Sequence, residues 1–196
     1  VTLTYETING WSASEFRKRM ADPSQRPEID RVVAERAAQV AAKMAERNDE
    51  FSKSEAERIE RQRTHEAERA QALKDAEISP IDVDCINLHG TGTKLNDQTE
   101  GAAIKKIFGN QIPLCSANKS QLGHSMGAAS AIEAVVSVLS IQHQIVPPSL
   151  NCQPADPVCH LQNLSPVSQK HKIQNVLSNS FAFGGSNACL LFSSCN

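Results

Sequence analysis

The two halves of this sequence are built from different amino acids. All ten arginines lie at or before Arg69, whereas all six cysteines lie at or after Cys85. A single domain rarely separates residue types so sharply, so the sequence predicts two segments with different structures. We expect a helical, charge-rich segment over residues 1–70 and an α/β domain over residues 71–196.

Strong helix formers dominate the first segment. No proline or glycine occurs over residues 28–77, and Ser12 or Ser14 could cap a short helix before this stretch. The apolar stripe thins beyond Phe51, so we expect the long helix to hairpin near residues 48–49 or to pack on another chain. It would be a solvated arm or linker, or else a docking or coiled-coil element.

The second segment alternates between strand and helix patterns. Its last two strands are joined by a short glycine turn, which predicts an antiparallel pair. The order of elements predicts a mixed sheet with helices packed on it. The predicted elements are strands at 82–88, 112–117, 176–181 and 188–192, a helix from Asn96 or Asp97 to Phe108, and a long apolar helix at 123–143.

Charge and hydropathy argue against several classes of partner. The formal net charge is −2, which gives no reason to expect nucleic acid or an anionic membrane as a partner. The sequence has no run of about 18 apolar residues, and its start lacks the pattern of a secretory signal. Because no two cysteines form a CxxC pair, we expect no metal site. Without a secretory signal, we expect reduced thiols and a cytoplasmic location.

Three polar clusters lie where an α/β sheet places ligands. His89 follows a predicted buried strand and precedes two glycines, and such strand ends open into the ligand crevice. Lys119 and His124 lie five residues apart at the predicted start of the long helix, whose free N–H groups favour a neutral histidine. Residues 179–187 form a glycine turn that presents aromatic rings. Each cluster alone is typical of a cap or a hairpin, but their order and spacing together predict a site.

These clusters resemble the signatures of the β-ketoacyl-acyl-carrier-protein synthases and polyketide ketosynthases. The motifs are His-Gly-Thr-Gly-Thr at 89–93, Lys-Ser-x-x-Gly-His at 119–124 and Asn-Ser-Phe-x-Phe-Gly-Gly-x-Asn at 179–187. The resemblance covers about residues 73–192 and implies the C-terminal half of a thiolase-like fold. It implies an acyltransferase that condenses malonyl-carrier protein with an acyl thioester, with loss of CO₂, in fatty-acid or polyketide synthesis.

The resemblance also implies roles for single residues. His89 and His124 would hold the malonyl thioester carbonyl and stabilise the enolate, while Lys119 would organise the second histidine. Glu100, as the partner of Lys119, and Asn187 would give structural support. The residues expected to contact substrate are Thr91, Thr93, Phe181, Phe183, Gly184 and Gly185. No resident cofactor is implied, because phosphopantetheine would arrive on a partner, the acyl carrier protein.

The sequence departs from the family pattern at the nucleophile. The family uses a cysteine in a Thr-Ala-Cys-Ser-Ser-like motif of its first half, but no cysteine precedes Cys85 here. Cys85 and Cys115 lie inside predicted strands, where we expect them to be core residues. We therefore expect another chain or region to supply the cysteine-bearing half in an oligomer, and the isolated chain to be inactive in condensation.

Two other interpretations stay open at this stage. The chain could be a non-catalytic scaffold or interaction protein that uses a ketosynthase half-fold and a helical arm. It could also be a fusion or fragment, in which case an apolar face left uncovered should make the isolated protein associate.

Overall fold

One helix of 50 residues, α2 (Arg26–Asp75), occupies most of the first part of the chain. The computed structural model describes residues 12–159, 161, 163–182 and 186–195. The hairpin expected near residues 48–49 is absent from this described part, so that prediction is wrong. An unbroken series of helix formers carries α2 through the charged stretch.

The short first helix, α1 (Ala13–Ala21), begins at Ser12. The Ser12 hydroxyl accepts the Glu15 N–H at 3.2 Å, and the Ser12 N–H donates to Glu15 Oε2 at 2.9 Å. This reciprocal pair is a capping box, which satisfies donors that a helix start leaves free. Of the two serines considered from the sequence, Ser12 is the cap.

The chain divides into two compact units, residues 1–56 and 57–196. This division and the boundary predicted at residue 70 both fall inside α2. The second unit therefore includes the last turns of α2, where His65, Arg69 and Leu73 are buried at spacings of four residues. These three side chains form one stripe of the helix, as the helical period requires.

The second unit is built around a mixed four-stranded sheet in the order β2-β1-β5-β6. Strand β1 is parallel to both β2 and β5, while β5 and β6 are antiparallel, which confirms the predicted architecture. The strands are β1 (Cys85–Asn87), β2 (Leu114–Ser116), β5 (Asn175–Phe181) and β6 (Asn187–Ser193), and a small antiparallel pair is formed by β3 (Ile145–Val146) and β4 (Gln169–Lys170). The helices are α3 (Lys94–Phe108), α4 (Lys119–Leu122) and α5 (Ala129–His143).

Successive residues of β1 serve opposite faces of the sheet. Ile86 lies beside Leu177 of β5 in register, and both pack in the apolar core with Ile104 of α3. Asn87, the next residue, faces α5 and donates its Nδ2 hydrogen to the Glu133 carbonyl at 3.1 Å. The two-residue period of the strand thus places Ile86 and Asn87 on opposite faces of the sheet.

Two helix starts differ from the sequence prediction. Helix α3 begins at Lys94, because Thr93 rather than Asn96 or Asp97 occupies the N-cap position. The helix predicted from residue 123 is interrupted: α4 ends at Gly123, which has a φ of 74°, and α5 starts only at Ala129. Glycine reaches this left-handed conformation at little cost, so Gly123 ends α4 and leaves residues 124–128 as a connection.

Helix α5 buries several polar residues and exposes most of its large apolar ones. The buried residues are Ala129, Glu133, Ser137 and Ser140, and the exposed apolar residues are Ile132, Val135, Val138 and Leu139. A helix on the surface of an isolated domain normally shows the reverse pattern. We call the exposed set the α5 apolar stripe. Among the described residues, no helix has the length and hydropathy needed to cross a membrane.

The contact between α3 and the 3₁₀ turn Pro157–Cys159 gives a test of the fold. A Cβ added at Gly101 would lie 1.8 Å from the Cys159 carbonyl oxygen. We expect Gly101→Ala to lower the free energy of unfolding in urea by roughly 1–3 kcal/mol, although alanine is the better helix former. Gly127→Ala is the matched control, since nothing lies within 4 Å of its added Cβ. Equal effects of the two substitutions would contradict this close approach.

Candidate active site

His89 lies just beyond the C-terminal end of β1 and is 7% exposed. Its backbone N–H donates to Glu100 Oε1 at 3.1 Å, and the Gly90 N–H donates to Glu100 Oε2 at 3.0 Å. Gly90 has a φ of 48°, and a Cβ there would lie 2.9 Å from the Ala117 Cβ. Glycine is therefore needed at this position, and the carboxylate of α3 fixes the peptide that carries the His89 ring.

Lys119 at the start of α4 donates to three acceptors. Its Nζ lies 2.5 Å from the His89 carbonyl oxygen, 2.5 Å from Glu133 Oε1 and 3.3 Å from His89 Nδ1. An ammonium group has three hydrogens to donate, so these contacts account for all of them. The expected pairing of Lys119 with Glu100 is wrong, because Glu133 projects from the second turn of α5 onto the ammonium and Glu100 pairs elsewhere.

Glu133 is the carboxylate that the sequence analysis missed. Burial raises the pKa of Glu133, and its hydrogen bond with Lys119 opposes that rise without reversing it. The signal was present in the sequence, because Glu133 is the single carboxylate within the apolar residues 129–143. A lone carboxylate in such a helix predicts a buried cationic partner.

His124 lies in the connection between α4 and α5 and is exposed. Its ring centroid is 5.7 Å from that of His89, with the two rings nearly perpendicular at 87°. The Met126 N–H donates to His124 Nδ1 at 3.1 Å. The structure thus brings together the three residues predicted to be catalytic, although His124 precedes a short 3₁₀ turn instead of opening the long helix.

The contacts around the two imidazoles define where their protons lie. His124 Nδ1 accepts from a backbone N–H, and His89 Nδ1 faces an ammonium that can only donate. In its neutral form each ring therefore carries its proton on Nε2. Burial, followed by the charge of Lys119, lowers the pKa of His89 to about 4, so this ring is neutral near pH 7.

Glu100 forms a second buried ion pair, with Arg69 of α2. Arg69 Nη2 lies 3.4 Å from Glu100 Oε1, and the side chains are 0% and 1% exposed. Asn179 of β5 joins them, because it donates Nδ2–H to Glu100 at 2.8 Å and accepts from Arg69 Nε at 3.3 Å. Burial by itself would raise the pKa of Glu100, but Arg69 and the donors from Gly90 and Asn179 hold it below its ordinary value.

Phe181 is buried between these groups. Its ring stacks on His65 with centroids 3.6 Å apart, and Arg69 lies over it at 5.2 Å. His89 meets the same ring edge-on at 5.8 Å. Sequence reasoning missed His65 and Arg69 because they precede the motifs, although their four-residue spacing with Leu73 was a usable signal. That Phe181 contacts substrate stays a prediction.

The other predicted residues take different places. Thr91 and Thr93 lie at the start of the loop and helix after β1, with their hydroxyl oxygens 2.8 Å apart. Asn187 begins β6 and stands opposite Phe181 in the strand register. Phe183, Gly184 and Gly185 lie outside the described residues. The substrate and support roles of this set stay predictions.

Three thiols that lie in the core or pack against it are unsuited to nucleophilic attack. Burial raises the pKa of Cys85 and of Cys189 to about 12, and it also raises that of Cys115. Since the thiolate is the reactive species, these three sulfurs stay protonated and act as core groups. The expectation that Cys85 and Cys115 belong to the core is confirmed, with both less than 3% exposed.

Known proteins match both the sequence and the fold. The family model "Beta-ketoacyl synthase, C-terminal domain" matches residues 37–153, more than half of the chain. Nodulation protein E from Rhizobium meliloti is 45% identical over 122 residues, which is 61% of this chain and 30% of that protein. The 3-oxoacyl-[acyl-carrier-protein] synthase 2 from Coxiella burnetii is 44% identical over 124 residues, 62% of this chain and 30% of that protein.

A solved structure gives the same relationship in three dimensions. It contains a type II polyketide ketosynthase, bound to the hexaketide, in complex with its acyl carrier protein. The match has a TM-score of 0.65 and 34% identity, and it covers 67% of this chain and 33% of that chain. The chain thus spans about a third of the length of the relatives it matches. By its sequence and its thiolase-like fold, the chain belongs to the β-ketoacyl synthase family and represents its C-terminal domain.

Proposed function

We propose that the chain supplies the malonyl-binding half of a ketosynthase active site. That site would carry out decarboxylative Claisen condensation of malonyl-carrier protein with an acyl thioester, in fatty-acid or polyketide synthesis. The acyl carrier protein, which accompanies the ketosynthase in the solved relative, would be the partner that delivers malonate. The phosphopantetheine arm would belong to that carrier.

The observation that carries the proposal is the pair of imidazoles whose Nδ1 atoms are both engaged. The ring centroids of His89 and His124 lie 5.7 Å apart, and the contacts at each Nδ1 leave an Nε2–H to donate. Two such donors suit a thioester carbonyl oxygen that becomes negatively charged during reaction. Lys119 and Glu100 then act as positioning residues, because they hold the ring nitrogen and the backbone of His89.

The chemistry follows from this arrangement. The bond between the malonyl α-carbon and its carboxylate breaks, CO₂ leaves, and the electron pair becomes an enolate whose oxygen accepts from both Nε2–H groups. The enolate carbon then attacks the acyl thioester carbon, and the thiolate of the nucleophilic cysteine leaves. The two histidines act as hydrogen-bond donors throughout, so they need no net proton transfer.

The cysteine would come from another region or chain. The buried thiols of the second unit are held protonated, and the family's cysteine motif does not occur in these 196 residues. The α5 apolar stripe is the surface on which we place the cysteine-bearing half, since an exposed apolar patch of this kind marks an interface. On this proposal the chain alone does not condense acyl groups.

The test is release of CO₂ from malonyl-carrier protein by the chain purified with its native partner. We expect His124→Ala to slow release by about 10²–10³-fold, because one of two oxyanion donors is lost. His143→Ala is the control, since His143 is an exposed residue at the end of α5. Unchanged CO₂ release in the His124 variant would overturn the proposal. A partner lacking a cysteine motif, together with no CO₂ release, would favour the scaffold interpretation suggested by the long charged helix.

The neutral state of the buried histidines also predicts how stability depends on pH. Burial lowers the pKa of His65 to about 4, while an unfolded histidine titrates near 6.5. Between these pH values the unfolded chain binds the proton and the folded chain does not, so stability falls as pH falls. We expect each such histidine to contribute a slope of about 1.4 kcal/mol per pH unit in that window.

His65→Phe isolates this effect, because phenylalanine keeps the stack on Phe181 and cannot take up a proton. Urea unfolding at several pH values between 6.5 and 4.5 should show a slope lower by about one proton than in the parent chain. Stability at pH 7 should be equal or higher, since the variant removes a buried Nδ1 that has no hydrogen-bond partner. Parallel pH profiles of variant and parent would contradict the prediction.

A further inference from the structure

We propose that Arg69 is a positioning residue for His89, acting through its buried ion pair with Glu100. Its importance for catalysis rests on the proposed function of the site, whereas its effect on His89 is a property of the fold. Arg69 lies on α2, ahead of every motif that carries the family resemblance. The interaction therefore connects the helical segment to the active-site histidine through Glu100.

Glu100 fixes the backbone at His89 through two hydrogen bonds. Both carboxylate oxygens accept backbone N–H groups, from His89 at 3.1 Å and from Gly90 at 3.0 Å. Gly90 stands in a left-handed conformation, with a φ of 48°. The carboxylate therefore selects one orientation of the peptide from which the His89 ring projects.

Arg69 compensates the negative charge of the buried Glu100 carboxylate. Glu100 is 1% exposed, and an ionised carboxylate taken out of water needs a cation beside it. Arg69 provides the cation at 3.4 Å, and its own position is fixed by Asn179 Oδ1 at 3.3 Å and the His65 carbonyl at 3.4 Å. Without Arg69 the carboxylate would take up a proton or impose its charge on its neighbours.

Charged and titratable groups from several elements surround the His89 ring. Lys119 of α4 contacts it, Glu133 of α5 lies behind Lys119, and His124 lies across from it. Glu100 of α3 and Arg69 of α2, beside His65, complete the surroundings. Of these, Glu100 favours the protonated ring. Arg69 pairs with that carboxylate, so we expect it to offset the influence of Glu100 on the ring.

The experiment is an NMR titration of the ¹³C,¹⁵N-labelled chain carrying Arg69→Met, alone or with its partner. Loss of the cation should raise the pKa of His89 by about one unit or more, or else make Glu100 titrate near neutral pH. In the second case the His89 and Gly90 amide signals should move with pH. Because this readout needs no substrate, it stays informative even if the chain releases no CO₂.

Two further variants make the outcome decisive. Arg69→Met combined with Glu100→Gln removes both charges, so the shifts should disappear and most of the lost stability should return. Arg63→Met is the matched control on the same helix, because Arg63 pairs with Glu60 at the surface, where both side chains are more than 70% exposed.

The proposal is overturned if folded Arg69→Met leaves the His89 pKa and both amide signals as in the parent chain. It is also overturned if the double variant is as unstable as the single one, since Arg69 would then act by packing alone. If Arg69→Met does not fold but the double variant does, the pairing with Glu100 is supported.

Discussion

Four elements of the second unit meet at the carboxylate of Glu100. It projects from α3, accepts the peptide N–H groups that follow β1, accepts a donor from Asn179 on β5 and pairs with Arg69 on α2. A fully buried carboxylate that lost one of these partners would carry an uncompensated desolvation cost. The position of His89 and the packing of α2 on the sheet are therefore determined by the same atoms.

A second buried ion pair lies on the other side of His89. Lys119 and Glu133 connect α4 to α5, and Lys119 also contacts both the carbonyl and the ring of His89. Buried ion pairs contribute little net stability compared with apolar residues of the same volume, but they impose one geometry. Two such pairs therefore hold the backbone and the ring of His89 in one orientation.

Local patterns in the sequence predicted the sheet and the three polar residues of the site. A buried strand followed by His-Gly, or a lysine and a histidine ahead of an apolar helix, is decided by residues close together in the chain, so His89, Lys119 and His124 could be found without coordinates. Arg69 and Glu133 could not be assigned to their partners in this way. Their pairings join residues 31 and 14 positions apart, and only the packing of α2 and α5 decides which carboxylate each cation meets.

The composition break misled the prediction at one point. The arginine-rich part of the chain is predicted to be a solvated arm or linker, or a docking element, yet its last arginine is among the most buried described side chains. Arginine at the surface and arginine in a core look alike in a composition count. What distinguishes Arg69 is that His65 and Leu73 share its face of the helix, so that the stripe, and not the residue type, carried the information.

The α5 apolar stripe limits which amino-acid substitutions this chain can accept. Exposure of Val135 and Val138 to water contributes no stability to the fold. Polar residues at these positions would leave the contacts of the buried face of α5 intact. On the proposed function, the cysteine-bearing half covers these residues. Substitutions in the stripe would then have to be matched by substitutions in that half, so the two surfaces would be constrained to change together.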